Sequence, residues 1–228
     1  MEYFTINYGL PLLGVLITAV AQMFVKSSYN KYRNVNNSKR INGASVARLI
    51  LDSNGLRDVQ VLETTGELTD HYDPSKKVVK LSSEIYSGTS IASVAVASHE
   101  CGHALQDKHK YLFLKFRSLL VPLVNFSTKI GYIVVMIGLL FGFAEIAWIG
   151  IILLLSMLLF QIITLPVEFN ASRRALEEVK KLNILVEYEQ DDTKAMLSAA
   201  AFTYVAGMLS TLLQILRLIL IVRNRSDD

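Results

Sequence analysis

Residues 130–165 read IGYIVVMIGLLFGFAEIAWIGIILLLSMLLFQIITL. Glu145 is the one charged residue in this stretch, and it separates two apolar runs, Ile130–Phe143 and Ile146–Leu165. A bilayer's hydrocarbon core is about 30 Å thick and is crossed by roughly 20 apolar residues of helix. The second run meets that length; the first meets it only by recruiting Leu119–Thr128. That extension contains Pro122 and Asn125 and ends beside Lys129, so the entrance to this span is polar. Polar, proline-bearing half-spans face protein or a water-filled cavity. A lysine at a helix end can instead snorkel to the interface, and the residues leave both readings open.

Outward from this pair lie two further charge-poor stretches, Tyr8–Val25 and Met196–Val222. The chain's 52% hydrophobic residues are therefore gathered into about four spans rather than spread over its 228 positions. Such apolar content excludes a disordered tail protein. The single cysteine, Cys101, excludes a disulfide scaffold, and a net charge of +3 gives no case for nucleic acid.

Charge placement sets an expected orientation. Met1-Glu2-Tyr3 lacks the basic region of a signal peptide, whereas Lys26, Lys31, Arg33, Lys39 and Arg40 follow the first span. Lys108, Lys110, Lys115 and Arg117 precede the central pair; Arg173, Arg174, Lys180 and Lys181 follow it. The positive-inside rule then predicts an N-terminus outside, with both large polar segments on the cytosolic side of the cell membrane. The expected organisation is an anchor over 1–25, a cytosolic α/β unit over 26–118, a membrane hairpin over 119–165, a cytosolic helix over 166–195 and a last membrane helix over 196–228. Arg223 and Arg225 at the far end go against the rule and are offset by Asp227 and Asp228; Arg217 within the last span reads as an interface snorkeller.

Within 26–118, Asn42 can cap a helix carrying Val46, Leu49 and Ile50, with Gly55 at its end. Val59–Leu62 and Lys77–Leu81 suit short strands, separated by a polar turn through Asp73-Pro74. The second strand can offer an edge to an extended substrate or lie inside a sheet. Ser87–Gln106 is alanine-rich and helical, with Ser90 a candidate cap.

That helix contains His99-Glu100-Cys101-Gly102-His103, two of the chain's four histidines in an H-E-x-x-H pattern. Histidines at i and i+4 share one helical face and can share one metal ion. Neutral imidazoles suit Zn2+, and Glu100 beside them can take a proton from water. The residues thus point to metal-assisted hydrolysis of an amide, foremost a peptide bond. Cys101 falls between the ligands and reads as a packed small residue.

A catalytic zinc needs a third protein ligand and one open position. His109 stands where the extended motif H-E-x-x-H-x-x-G-x-x-H places a third histidine, but Gln106 replaces the glycine that turns the chain there. Glu168 is the rival: the hairpin returns to the cytosolic side before it, and Pro166 suits the first turn of a new helix. Pairing of Glu168 with Arg173 or Arg174 is the structural alternative, Glu177 and Glu178 remain conceivable ligands, and Glu145 lies across the membrane. His71, between Asp70 and Asp73, is either a turn residue or support for an oxyanion.

The runs Leu68-Thr69-Asp70-His71-Tyr72-Asp73-Pro74, Val79-Lys80-Leu81-Ser82, His99 through Gln106 and Leu165 through Ala175, taken in order, resemble the YugP-like family of bacterial membrane zinc metallopeptidases, itself similar in plan to the HtpX-like membrane proteases. The resemblance covers nearly the whole chain. It implies a mostly α fold, membrane helices with a small zincin-like α/β unit, one catalytic Zn2+ held by His99, His103 and Glu168, and Glu100 as general base. It also implies peptide or membrane-protein substrates. Where the HtpX-like pattern has an aspartate four residues after the ligand glutamate, this chain has Ser172, which can still hydrogen-bond near the site but cannot form a carboxylate–histidine pair. Two rivals are a non-catalytic membrane scaffold or adaptor with a closed structural metal site, and a metal transporter, which would place its ligands at mid-membrane depth.

Overall fold

Long apolar runs become long helices. The structure, a computed structural model, describes residues 4–226. Met1-Glu2-Tyr3, Asp227 and Asp228, which entered the orientation argument, lie outside the described residues. A π-helical turn at Thr5–Gly9 leads into α1 (Leu10–Tyr32). Next come α2 (Gly43–Ser53), β1 (Gln60–Thr64), β2 (His71–Asp73), β3 (Val78–Ser82), α3 (Ser83–Ser87) and α4 (Ile91–Lys108). The chain ends with three very long helices, α5 (Leu112–Phe141), α6 (Ala144–Lys181) and α7 (Glu187–Ser226). Among the described residues four helical stretches are long and apolar enough to cross a membrane: Thr5–Tyr32, Leu112–Phe141, Ala144–Lys181 and Glu187–Asn224. The fold is mostly helical with one small mixed sheet.

Two elements differ from the sequence reading. The helix expected to begin at Pro166 is the continuation of α6, which runs through that proline without ending. A proline inside a helix loses one N–H and crowds the carbonyl four residues back. The many bonded turns on both sides of Pro166 outweigh that local cost. Similarly α5 runs through Pro122, so the polar entrance is part of one helix and Asn125 and Lys129 are exposed on it. The second difference is β2, which occupies what reads as a turn. His and Asp have little strand propensity; pairing of His71 with Lys80 and of Asp73 with Val78 supplies the order instead.

Close packing divides the chain into two units. One comprises the chain through Gln22, Lys115–Pro166 and the chain from Thr203. Its core gathers Val135, Ala147, Ile151, Leu154, Ile215, Leu218 and Val222 from α5, α6 and α7. The hairpin of α5 and α6 closes at Gly138, where an added Cβ would sit 2.4 Å from the Ala147 backbone nitrogen.

The other unit comprises Met23–Leu114 and Val167–Phe202. Its sheet has the order β1-β3-β2, with β3 parallel to β1 and antiparallel to β2. The strand around Val78–Leu81 is therefore interior, and the sheet edges are β1 and β2. Asn42 caps α2 by accepting from Ser45 N at 2.8 Å, and Ser90 caps α4 by accepting from Ser93 N at 3.0 Å. Each such cap contributes about 1 kcal/mol. Gly55, with φ +71°, follows the end of α2. Helix α4 is buried along most of its length, and its small residues Ala92, Ala95, Ala97, Gly102 and Ala104 let neighbours approach on several sides. This buried helix carries the H-E-x-x-H motif, His99 to His103.

Candidate metal centre

His99 and His103 project from one face of α4, with ring centroids 4.8 Å apart and planes crossed at 86°. Opposite them the C-terminal part of α6 presents Glu168, whose side chain is almost wholly buried. What allows the two helices to meet is Gly102: a Cβ there would lie 2.4 Å from the carbonyl oxygen of Ala171, one turn beyond Glu168. Any side chain at 102 would push α4 and α6 apart, and the histidines away from the carboxylate.

Glu168 Oε2 lies 3.3 Å from His99 Nε2 and 3.6 Å from His103 Nε2. One ligand atom from each residue falls within 4.8 Å of the others, so the three can hold a metal ion. Among the described residues they form the one such group. Zinc with bonds of about 2.0–2.1 Å in tetrahedral geometry spaces its ligands about 3.3–3.4 Å apart. The observed separations approach that spacing, and two imidazoles with one carboxylate are a donor set zinc accepts in catalytic sites. The residues fit the ion.

Electrostatics agree with a tightly knit cluster. Burial works against a charged His103, but its bond to Glu168 and the nearby Glu100 carboxylate outweigh that and hold its pKa above the ordinary value. Glu100 is itself buried, on the turn of α4 that carries His103. Residues at i and i+3 are helix neighbours, which places its carboxylate beside the cluster without joining it.

The remaining candidates separate. Ser172 lies one turn after Glu168, with Oγ 3.1 Å from His99 Nδ1. His109 is the residue after α4, its Nδ1 2.7 Å from Leu105 O and 3.2 Å from Arg174 Nη1, outside the cluster. His71 is exposed on β2, its Nδ1 2.8 Å from Thr69 O. Glu177 pairs with Arg173, and Glu178 accepts from Asn54 and Lys181. Arg174 donates to Asn170 rather than to Glu168. Cys101 turns into the hydrophobic core, where burial pushes its thiol pKa far up and Sγ meets Ala47 O at 3.6 Å.

One participant escaped the sequence reading. Gln106, fully buried, reaches His103 Nδ1 with its Oε1 at 3.0 Å. Its place three residues after His103, on the same helical face, was the available signal.

Comparison with known proteins points the same way. The model of a family described as "putative neutral zinc metallopeptidase" matches residues 8–223. A relative from Bacillus subtilis (strain 168), described as "putative membrane protease YugP", is 45% identical over 208 residues, 91% of this chain and 92% of the relative. No solved structure matches the chain. With a zinc-type donor set in place and a family match running almost from end to end, the chain belongs to the family described as putative neutral zinc metallopeptidases.

Proposed function

We propose that this protein is an integral-membrane zinc peptidase in which His99, His103 and Glu168 hold the ion and Glu100 is the general base. The observation that carries the reading is the three-donor cluster with a buried carboxylate beside it and no fourth protein donor among the described residues. Structural zinc sites are normally closed by four protein ligands, whereas catalytic ones keep a position open. His109 and His71, the residues a closed site would recruit, bond elsewhere.

A zinc ion held by this set supplies Lewis acidity, which polarises a carbonyl and brings the pKa of water towards about 7. The chain's own residues do the rest. Glu100 accepts a proton as a water oxygen bonds to the peptide carbonyl carbon. It then delivers that proton to the amide nitrogen as the C–N bond breaks, so the products are a free carboxylate end and a free amine. Ser172 steadies His99 from the side away from Glu168.

The protein purified in detergent with zinc is expected to cleave unstructured polypeptide. A chelator such as 1,10-phenanthroline should stop cleavage and added zinc should restore it. Full zinc occupancy with no cleavage of any peptide tested would instead support the scaffold reading.

Substrates in this proposal are membrane proteins or their cytosolic tails, because the charge pattern orients the α/β unit towards the cytosol. Glu145, exposed at the start of α6, then faces outside, and Thr65, exposed after β1, faces inside. A membrane-impermeant thiol reagent on intact cells should label Glu145→Cys and spare Thr65→Cys until the membrane is opened. Cys101 is buried and adds little background. The reverse labelling would overturn the orientation.

A further inference from the structure

The amide of Gln106 is oriented by a chain of bonds whose directions are all determined by chemistry. Arg174 can only donate, and its Nε meets Asn170 Oδ1 at 2.8 Å, which fixes that atom as the Asn170 oxygen. The same oxygen accepts from Gln106 at 3.0 Å, and the Val167 carbonyl, which can only accept, lies 2.7 Å from the same Gln106 atom. That atom is therefore the amide nitrogen, Nε2. The other end of the amide, Oε1, faces His103 Nδ1 at 3.0 Å and can only accept. His103 must carry a proton on Nδ1, and Nε2 is the ring nitrogen turned towards Glu168, 3.6 Å away.

We propose that Gln106 is a positioning residue that holds His103 in the Nδ1–H tautomer, with Nε2 presented for metal binding. The proposal rests on His103 being a metal ligand. It gives a role to the residue that stands where the extended motif would have its turning glycine. The chain continues as helix through that position, and the amide ties α4 to the backbone beside Glu168. One side chain thereby sets the tautomer of one ligand and the placement of the helix that carries another. A ligand histidine whose far nitrogen lacks its partner is less well oriented and less basic, and losing such a partner typically costs about 10–100-fold in metal affinity.

Two substitutions separate positioning from simple bracing. Gln106→Met removes both acceptor and donor. Gln106→Glu keeps an acceptor for His103 and loses the donor to Val167 and Asn170. If Gln106 only braces the helices, the two variants lose the same bond and bind zinc alike. If it positions His103, competition against a calibrated chelator should show Gln106→Met weakened by about 10–100-fold and Gln106→Glu at least tenfold tighter than Gln106→Met. In the unmutated protein, 15N spectra of labelled histidine, taken above its titration range, should show the His103 proton on Nδ1, a readout independent of whether the variants fold. A proton on Nε2, or equal zinc affinities for the two variants, overturns the proposal. Unchanged zinc affinity in His103→Ala would instead overturn the metal-ligand reading on which it rests.

Discussion

Glu100→Gln is expected to keep zinc at full occupancy and to lose peptide hydrolysis by roughly 10²–10⁴-fold, the range that a positioned general base contributes. In activation free energy that is about 2.7–5.5 kcal/mol. Glutamine matches glutamate in shape and leaves the buried volume beside His103 unchanged, so the fold and the donors are preserved. What it lacks at neutral pH is a group able to take the water proton and return it to the leaving amine. The loss should fall on kcat, because Glu100 does not belong to the donor cluster and a general base at this position would act only in the transition state. Zinc content by elemental analysis, measured on the sample used for kinetics, separates loss of chemistry from loss of metal. Undiminished hydrolysis by a zinc-loaded Glu100→Gln protein would remove Glu100 from the mechanism.

Glu168→Ala should have the opposite signature, with metal lost first and activity lost as a consequence. This residue is the one donor contributed by α6, and its Oε2 is the atom both Nε2 nitrogens approach. Two histidines on a single helix remain, a set that lacks the third protein ligand of a catalytic zinc site. Zinc affinity in metal-buffered solution should fall by well over the ~100-fold that marks the loss of an outer partner. His109→Ala is the matched control. Its side chain bonds Leu105 O and stands apart from the donors, so affinity should stay within about twofold of wild type. Retention of zinc by Glu168→Ala, or its loss in His109→Ala, would reassign the third ligand.

How much of this was legible without coordinates depended on how local the physics is. Asn42 and Ser90 could be read as caps because a cap bonds to a backbone N–H three residues away. His99 and His103 could be placed on one face because helical geometry alone puts them there. The four apolar helices followed from length and composition. Pro166 was misread for the same reason that the caps succeeded: a rule about the first turn of a helix weighs three or four residues, while α6 is held by its whole length. β2 was missed because its order comes from pairing with β3 rather than from His71, Tyr72 and Asp73 themselves.

Glu168 was open among several acidic residues until the resemblance singled it out, since nothing between 99 and 168 states which turn of a later helix will face α4. Gly102 supplies the physical answer, because only a residue without a side chain lets Ala171, and with it Glu168, come so close. Gln106 was passed over as an absent glycine; its partners Val167 and Asn170 are 61 and 64 positions away. Long-range hydrogen bonds of this kind leave no periodicity to read.

The central claim is that one zinc ion sits among His99, His103 and Glu168 with a position left open. An anomalous difference map collected at the zinc absorption edge tests it most directly. The account predicts a single peak at about 2.0–2.2 Å from one nitrogen of each histidine and one Glu168 oxygen, with His109 and His71 remote. A peak placed elsewhere, or one closed by a fourth side chain, would contradict it.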